Sequence, residues 1–448
     1  MIEMKKSNLY GIAAVAFALT QIWVSGPANA ISVEQVRKDV SALAGDDTLG
    51  RAADGTGIAI AEQYIRDEFK AAGLQPFFGQ SYLQTFSLYH YQPRPFAVAI
   101  NGQALDPAKI FAAGSAAKVE WQKDNIAIIH IGAEDDFRAK LKELNEAGEN
   151  ALVLVNPVHE KLFKGFSHYL ATGTRSLSEK PEKALVFALS ETPEINRLSV
   201  TGGFDKKHIT LNNVAAVLEG KSRPDEYVVF SAHHDHIGQQ IDPQSGKDNI
   251  YNGANDDASG VAAVLNLARY FNNMENRERS ILFITFTAEE LGLLGSEHFA
   301  KTIDADAMVA MFNIEMIGKA SQFGPGKMWM TGMDRSNLGD LLNTNLPANL
   351  RADNYRIEAD PYPDFQLFYR SDNASLARLG VPAHSISSTQ IAKDQDYHQV
   401  SDEISTLDLG QMTEIIKVLS YVSKPIITGV QTPERIKPLA AKSQGHFF

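Results

Sequence analysis

The chain has 448 residues, of which 44% are hydrophobic and 21% are charged, and this composition is ordinary for a soluble globular protein with a large core. Its formal net charge of -12 argues against nucleic acid as a partner, because phosphate binding needs a basic surface. The chain contains no cysteine, which excludes disulfides, a lipid-modified cysteine and thiolate ligands, so any metal must be held by His, Asp and Glu.

The first thirty residues are typical of a secretory signal peptide. Two lysines precede an apolar stretch over about 9–24, and the segment "GPANA" at 26–30 supplies an A-x-A cleavage site. We therefore expect residues 1–30 to be removed, Ile31 to begin the mature chain, and the protein to be exported to the periplasm or the medium. An uncleaved anchor is the alternative, but this run is short for a membrane span and no later stretch is apolar enough, so we expect no stable membrane insertion.

The segment 31–90 is predicted to be the N-terminal part of the main domain, with two helices. Residues 31–45 and 55–74 carry apolar side chains at helical spacing, and Gly73 is a suitable C-cap for the second helix. The region 91–212 has a pattern of its own, a strand "NIAIIHIG", a helix over "DDFRAKLKELNEAG" and a strand "NALVLVN". Because this region carries none of the candidate catalytic residues, we interpret it as an inserted smaller α/β domain.

From about residue 213 to the C-terminus at 448, predicted strands alternate with predicted helices. Strands are predicted over 212–220, 227–235, 280–288, 308–318 and 381–388, and helices over 258–273 and 289–303. This alternation is typical of an α/β fold with a mixed, mostly parallel central sheet flanked by helices on both faces. In such folds the functional residues gather beyond the carboxyl ends of the strands.

Metal-competent side chains collect where these predicted strands end. They are His233, His234, Asp235 and His236 after one strand, Asp256 and Asp257 at a helix start, Glu289 and Glu290 after another strand, Glu315 near the end of a third, and His398 in a late loop. Each has a simpler explanation by itself: "TAEE" is a capping box with Thr287 as N-cap, "NGANDDASG" is a turn, and a loop histidine is usually solvated. Five such strand ends together instead indicate a site for metal-assisted hydrolysis.

These motifs resemble those of metallopeptidase family 28, the dinuclear-zinc aminopeptidases and glutamate carboxypeptidases. The matching segments are "HHD" at 233–235, "GANDDASG" at 253–260, "AEE" at 288–290, "NIEMIG" at 313–318 and "YH" at 397–398. The resemblance implies a zinc exopeptidase fold with two zinc ions per chain. The region 91–212 is similar in its alternating pattern to a protease-associated domain.

The resemblance also implies a role for individual residues. His233 and Glu315 would bind one zinc, Glu290 and His398 would bind the other, and Asp256 would bridge the two. Asp235 would orient His233, Glu289 would be the general base, and Tyr397 would donate a hydrogen bond to the oxyanion. His234 and His236 have no ligand role in the family, so we expect them to be packing or rim residues.

Four positions bear on this assignment. The family usually has Asp where this chain has Glu315, which leaves open the occupancy and spacing of that metal site, although both carboxylates suit zinc. Ser371 and Asp372 match the substrate-side loop of the family. Arg370 precedes them and could meet a substrate carboxylate, or be an ordinary surface arginine.

The resulting prediction is a secreted metallo-aminopeptidase that acts on peptides. A zinc-dependent carboxypeptidase or N-acyl amino acid hydrolase of the same fold is the alternative within this chemistry, and "NGANDDASG" argues against it. Glutaminyl cyclases share the fold but work with one zinc. A metal-free binding protein is the alternative of another class, and the five filled ligand positions argue against it. The sequence leaves the preferred N-terminal residue and the oligomeric state open.

Overall fold

A computed structural model of the protein describes residues 31–192, 194–240 and 248–437, so the predicted signal peptide at 1–30 lies outside the described residues. The strands are Gln75–Pro76 (β1), Leu83–Pro93 (β2), Ala97–Ile100 (β3), Gln103–Ala104 (β4), Ile110–Gly114 (β5), Val119–Gln122 (β6), Ala127–Ile131 (β7), Ala151–Val155 (β8), Thr174–Ser176 (β9), Ala184–Leu189 (β10), Leu198–Gly202 (β11), Phe204–Leu218 (β12), Arg223–His233 (β13), Gly238–Gln239 (β14), Ile250–Tyr251 (β15), Arg279–Phe286 (β16), Met308–Ile314 (β17), Trp329–Met330 (β18), Glu358–Ala359 (β19) and Ala383–Ser387 (β20). The helices are Val33–Leu43 (α1), Ile58–Ala71 (α2), Phe137–Ala147 (α3), Glu160–Leu170 (α4), Ser259–Asn272 (α5), Leu294–Ala300 (α6), Leu338–Thr344 (α7), Ala348–Ala352 (α8), Asn373–Ala377 (α9), Leu409–Val422 (α10) and Lys424–Ile427 (α11).

The central sheet has ten strands and a parallel centre. Its order is β19-β18-β20-β17-β13-β16-β12-β2-β9, and β1 pairs with β12. The four middle strands, β20, β17, β13 and β16, are parallel to one another. On one side β18 is antiparallel to β20 and parallel to β19, and on the other side β12 is antiparallel to both β16 and β2. Every residue of β16 and β17 is buried, as a continuous apolar run predicts for strands covered on both faces. The predicted mixed sheet with a largely parallel centre is confirmed.

Helices cover both faces of this sheet because successive strand residues point to opposite sides. Val228 and Phe230 of β13 pack into one core with α1, α2, α5 and α10, whereas Val229 packs into a second core with α6 and α9. Helix α1 begins after the N-cap Ser32, whose side chain accepts a hydrogen bond from the backbone of Gln35. Helix α2 is followed by Gly73 with φ 80°, as its predicted role at the helix end requires.

The region between β2 and β12 forms two further four-stranded sheets, ordered β5-β10-β8-β7 and β4-β3-β11-β6. The predicted strand, helix and strand are present as β7, α3 and β8, and α3 begins at an Asp136 N-cap and ends at Gly148 with φ 61°. Strands β2 and β12 pair along their length, from Leu83 with Val214 to Pro93 with Phe204. The two sheets therefore lie within 94–203, narrower than the predicted 91–212. Their status as a protease-associated domain stays a prediction.

None of the helices within the described ranges is both long enough and apolar enough to span a bilayer.

Candidate metal centre

The metal-competent side chains meet at the carboxyl edge of the parallel strands. His233 is the last residue of β13, Glu315 directly follows β17, and Glu290 lies four residues beyond β16. Asp256 lies in the turn Ala254–Ala258 that precedes α5, and His398 lies in the loop between β20 and α10. The structure thus brings together all five predicted ligands, which the chain separates by up to 165 positions between His233 and His398.

One group of donor atoms comes from His233, Asp256 and Glu315. The Nε2 atom of His233 lies 3.1 Å from Asp256 Oδ1 and 3.2 Å from Glu315 Oε1. Two donors on one tetrahedral zinc, each bonded at about 2.0–2.2 Å, are roughly 3.3 Å apart. The three atoms therefore fit a single zinc ion.

A second group uses the other oxygen of Asp256. The Nε2 atom of His398 lies 3.2 Å from Asp256 Oδ2 and 3.3 Å from Glu290 Oε2. These distances again match the separation of donors on one zinc. Because Asp256 offers one oxygen to each group, it is placed to bridge two cations.

The electrostatics of the site favour binding of cations. Burial lowers the pKa of His398, but hydrogen bonds to Asp256 and Glu290 outweigh it and raise the pKa to about 10. In the same way Glu315 and Glu289 raise the pKa of His233 well above its ordinary value, against the effect of burial. Without a cation, protons on the imidazoles balance the buried carboxylates, and a zinc ion would displace those protons.

The longer side chain of Glu315 reaches the site where the family usually has Asp. Its Oε1 atom faces His233, and its Oε2 atom accepts a hydrogen bond of 2.5 Å from the hydroxyl of Ser371. The amide of Asn313 in turn donates to Ser371 at 2.7 Å. This relay fixes which oxygen of Glu315 remains free for a metal. Ser371 could be matched to the substrate loop from sequence, but its contact with Glu315 could not.

Asp235 acts differently from its predicted role. His233 Nδ1 is 3.0 Å from the backbone oxygen of Asp235, whereas the carboxylate of Asp235 is 3.8 Å away, too far for a hydrogen bond. That carboxylate instead accepts hydrogen bonds from the backbone of Glu289, at 3.0 Å, and Glu290, at 3.3 Å. Asp235 thus orients His233 through its main chain and positions both glutamates through its side chain. Burial raises the pKa of Asp235 to about 6.

Glu289 and Glu290 do not lie in a helix, so the predicted helix over 289–303 is wrong at its start. Helix α6 begins only at Leu294, and Ala288 has φ 56°. Thr287 caps no helix, and the capping-box explanation of "TAEE" fails. Burial and the charge of Glu315, opposed by His233, raise the pKa of Glu289 well above its ordinary value. Glu289 belongs to neither donor group, as expected for a base that is free of metal.

The two remaining histidines of "HHDH" differ from each other. His234 is fully buried and its Nδ1 contacts Thr285 Oγ1 at 3.1 Å, so the prediction of a packing role holds. Burial lowers the pKa of His234 to about 3. His236 instead contacts two candidate ligands, with its Nδ1 atom 2.8 Å from Glu290 Oε1 and 3.8 Å from Asp256 Oδ2.

Sequence reasoning also missed Arg51, which is fully buried beneath the site. Its guanidinium donates to the backbone oxygens of Leu43, His234, Asn252 and Gly253 at 2.5 to 2.9 Å. It therefore ties together the two loops that carry His233 and Asp256. A lone arginine far along the chain from its contacts carries no local signal, so no pattern could have identified it.

A cavity of 360 Å³ adjoins the donor groups. Much of its lining is apolar, and Leu293, Met316, Trp329, Leu367 and Ile391 contribute to it.

Tyr397, Arg370 and Ser371 also line this cavity, which places these candidates beside the site, whereas Asp372 is fully buried behind it. The ring of Tyr397 stacks on that of His398 with centroids 3.9 Å apart. Burial raises the pKa of Tyr397, so its hydroxyl keeps its proton at neutral pH. Burial likewise raises the pKa of Asp372 to about 8.

Comparison with known proteins agrees with this geometry. A probable zinc metalloprotease of Pyrenophora tritici-repentis is 36% identical over 115 residues, which are 25% of this chain and 25% of that protein. Leucine aminopeptidase 1 of Chaetomium globosum is 27% identical over 213 residues, 45% of this chain and 50% of that one. The chain thus spans a quarter to a half of the length of these curated relatives.

Two solved structures share the fold of nearly the whole chain. An aminopeptidase from Aneurinibacillus sp. strain AM-1 has a TM-score of 0.54 at 20% identity, covering 92% of this chain and 96% of that one. A zinc aminopeptidase from Bacillus subtilis has a TM-score of 0.54 at 16% identity, covering 94% and 98%. Residues 213–423, which contain all five predicted ligands and Glu289, match the model of peptidase family M28. Over this segment the chain is therefore similar to peptidase family M28.

Proposed function

We propose that the protein is an aminopeptidase that removes N-terminal residues from peptides with the help of two zinc ions per chain. The observation that carries the proposal is the arrangement of His233, Asp256 and Glu315 beside Asp256, Glu290 and His398, two donor groups that share one carboxylate. The names of the relatives support zinc and aminopeptidase activity. The adjoining cavity provides room for a substrate side chain next to the donor atoms.

Zinc bound there would polarise the scissile carbonyl and lower the pKa of a water molecule towards neutrality. The residues of the chain supply the rest of the reaction. Glu289, whose backbone is held by Asp235, can accept a proton from water and pass it to the leaving amine. Tyr397 keeps its hydroxyl proton and can donate a hydrogen bond to the developing oxyanion. The apolar lining of the cavity limits access of bulk water.

The choice of an N-terminal residue rests on charge. A peptide with a free α-amine carries a positive charge at its end, and the carboxylates around the site can bind it. An acylase or carboxypeptidase of the same fold would accept a blocked amine. A binding protein without metal would need none of the five donor residues, all of which are in place here.

Zinc analysis of the purified protein and a panel of aminoacyl chromogenic amides, assayed with and without zinc, test this proposal. We expect about two zinc ions per chain and turnover that chelation abolishes. N-terminal acetylation of a good peptide substrate should abolish cleavage. Equal turnover of the blocked peptide would favour the acylase, and a chain that binds no zinc would favour the binding protein.

We also propose that the protein works outside the cytoplasm, in the periplasm or the medium. The support is the lysine-led apolar stretch and the "GPANA" segment at 26–30. Protein recovered from its host should then begin at Ile31. An exported protein that retains Met1 would contradict cleavage.

A further inference from the structure

We propose that His236 is a fourth protein ligand of the second metal, beside Asp256, Glu290 and His398. This inference rests on the proposed two-zinc function and extends it. It concerns a residue for which neither the family resemblance nor the matching relatives provide a role.

The position of His236 carries the inference. Its side chain is fully buried, and its Nδ1 atom lies 2.8 Å from Glu290 Oε1 and 3.8 Å from Asp256 Oδ2. These two distances lie on either side of the roughly 3.3 Å expected between donors on one zinc. His236, Asp256 and Glu290 place one donor atom each within 4.8 Å of one another.

The relation between the two imidazoles agrees with this reading. The rings of His236 and His398 have centroids 5.8 Å apart and planes inclined at 68°. Two imidazoles bound to one tetrahedral zinc at about 2.0–2.1 Å have their centres roughly 5–6 Å apart. The separation of the two rings thus fits two imidazoles on one zinc, and both rings contact Glu290 and Asp256 Oδ2.

The backbone holds His236 in this place. Its N–H donates to the backbone oxygen of Arg51 at 3.1 Å. Gly253 lies so close that a Cβ atom there would come within 2.5 Å of the His236 ring. A side chain at Gly253 would clash with the backbone oxygen of Asp256 as well as with this ring, so the glycine permits the close approach of both residues.

Four protein donors would make the two metal sites unequal. A zinc with four protein ligands has a complete tetrahedral shell, whereas a zinc with three keeps a position for water or substrate. The second site would then be the closed one. The first site, with His233, Asp256 and Glu315, would be the open one, and Glu289 interacts electrostatically with two of its ligands.

The strength of the bond between His236 and the metal depends on the hydrogen-bond partner of its other ring nitrogen. The Nδ1–H group of His233 donates a hydrogen bond to the backbone oxygen of Asp235. The Nε2 atom of His236 is buried and has no hydrogen-bond partner among the described residues. A metal-bound imidazole whose N–H lacks an acceptor is a less basic ligand. We therefore expect His236 to add less affinity than His233 does.

Proton NMR of the cobalt-substituted protein tests the inference directly, because only an imidazole bonded to Co²⁺ shows a contact-shifted N–H signal. We expect three such signals from the unaltered protein with two Co²⁺, from His233, His236 and His398. The signal of His236 should exchange slowly in D₂O, since its Nε2 is buried. His236→Gln should retain two signals and should bind its second zinc more than about 10-fold more weakly, as even partners of ligands matter this much.

His234→Gln is the matched control, because His234 is the neighbouring buried histidine and contacts Thr285 instead. It should keep all three signals and both zinc affinities. Two signals from the unaltered protein would refute ligation by His236 while leaving the two-zinc function intact, even if His236→Gln bound zinc more weakly. A protein that binds no metal would instead refute the proposed function. The unaltered protein decides the question even if the variant fails to fold.

Discussion

Two regions of the molecule contain parallel strands joined by helices, and only one of them forms a site. In the sheets within 94–203, the side chains after the strands serve local turns: Asn156 after β8 caps the following turn at Val158, and Asp135 accepts from the backbone of Gly132 after β7. Among the described residues of 94–203, the buried polar residues are Ser115 and Ser176. None of the described residues of 94–203 is therefore a buried charged residue.

The carboxyl edge of the central sheet is the opposite case. Within 233–402 it buries histidines and carboxylates that would each be costly without a partner. They are His233, His234, Asp235, His236, Asp256, Asp257, Asp372 and Asp402. The comparison shows that strand topology brings loops together at one edge, and that the buried ionisable groups gathered there mark this edge as the candidate site. The following variants test that distinction.

The largest effect is expected for Glu289→Gln, which tests the role of the edge in catalysis. The amide is nearly isosteric but cannot accept a proton, and losing a general base typically lowers the rate about 10²–10⁴-fold. Zinc content should remain at about two per chain, because Glu289 belongs to neither donor group. Steady-state kinetics and zinc analysis measure both. Glu297→Gln on the neighbouring helix is the control, and near-normal activity of Glu289→Gln with metal retained would refute the mechanism.

The next largest effect is a loss of stability caused by a substitution in the sheets within 94–203. Phe187 of β10 is fully buried and stacks on Phe111 with centroids 4.5 Å apart. Phe187→Ala should lower the free energy of unfolding by about 3–5 kcal/mol, the usual result of a large cavity in an apolar core. Zinc content of the folded protein should not change. Denaturant unfolding and zinc analysis provide the measurements, and loss of zinc from folded protein would show that the two regions are coupled.

Much of this architecture could be predicted from the sequence, because apolar runs locate strands and the chain direction of parallel strands places their ends together. The assignment of His233, Asp256, Glu290, Glu315 and His398 followed from that rule and from the family motifs. The contact of His236 with Glu290 could not be predicted in this way, since β13 ends at His233 and the alternation of strand side chains does not continue beyond it.

Other features depend on contacts that no local pattern carries. The left-handed conformation of Ala288 overrides the helix that "TAEE" suggests, because Asp235, in the loop after β13, holds the backbone of both glutamates. The two small sheets span less than the predicted 91–212 because the long ladder of β2 with β12 extends into that range, where charged and polar residues such as Lys206 and Lys207 conceal its strand pattern. Long-range hydrogen bonds, rather than propensity, decide such positions.

Ser371→Ala should have an intermediate effect and distinguishes metal ligands from the residues that hold them. Without the hydroxyl, Glu315 loses the contact at 2.5 Å that fixes its Oε2 atom. Loss of such a partner typically weakens metal binding about 10–100-fold, and we expect this at the first site only. Zinc titration against a chelator measures it. Ser420→Ala, at a buried serine on α10 that donates to Lys417, should leave both affinities unchanged.

The smallest effect is expected for a substitution at Glu62. This carboxylate is partly buried but belongs to neither donor group, so it tests the effect of burial without that of metal binding. Glu62 of α2 accepts a hydrogen bond of 3.0 Å from Asn212 of β12, and burial raises its pKa to about 7, against the opposing effect of that bond. A pKa raised in the folded state means that the folded protein binds this proton more tightly than the unfolded chain does. Stability is therefore fully present below the ordinary pKa of glutamate and is lost as the pH rises through about 7.

Glu62→Gln removes this titration. Because Glu62 is partly exposed, we expect the variant to gain only about 1 kcal/mol over the unaltered protein between pH 5 and pH 8. Denaturant unfolding at both pH values measures the gain. The exposed Glu149→Gln, in the inserted region, should change stability by less than about 0.5 kcal/mol at either pH. An equal difference at pH 5 and pH 8 for Glu62→Gln would show that burial alone does not perturb this carboxylate, and would leave the metal edge as the place where buried charge matters.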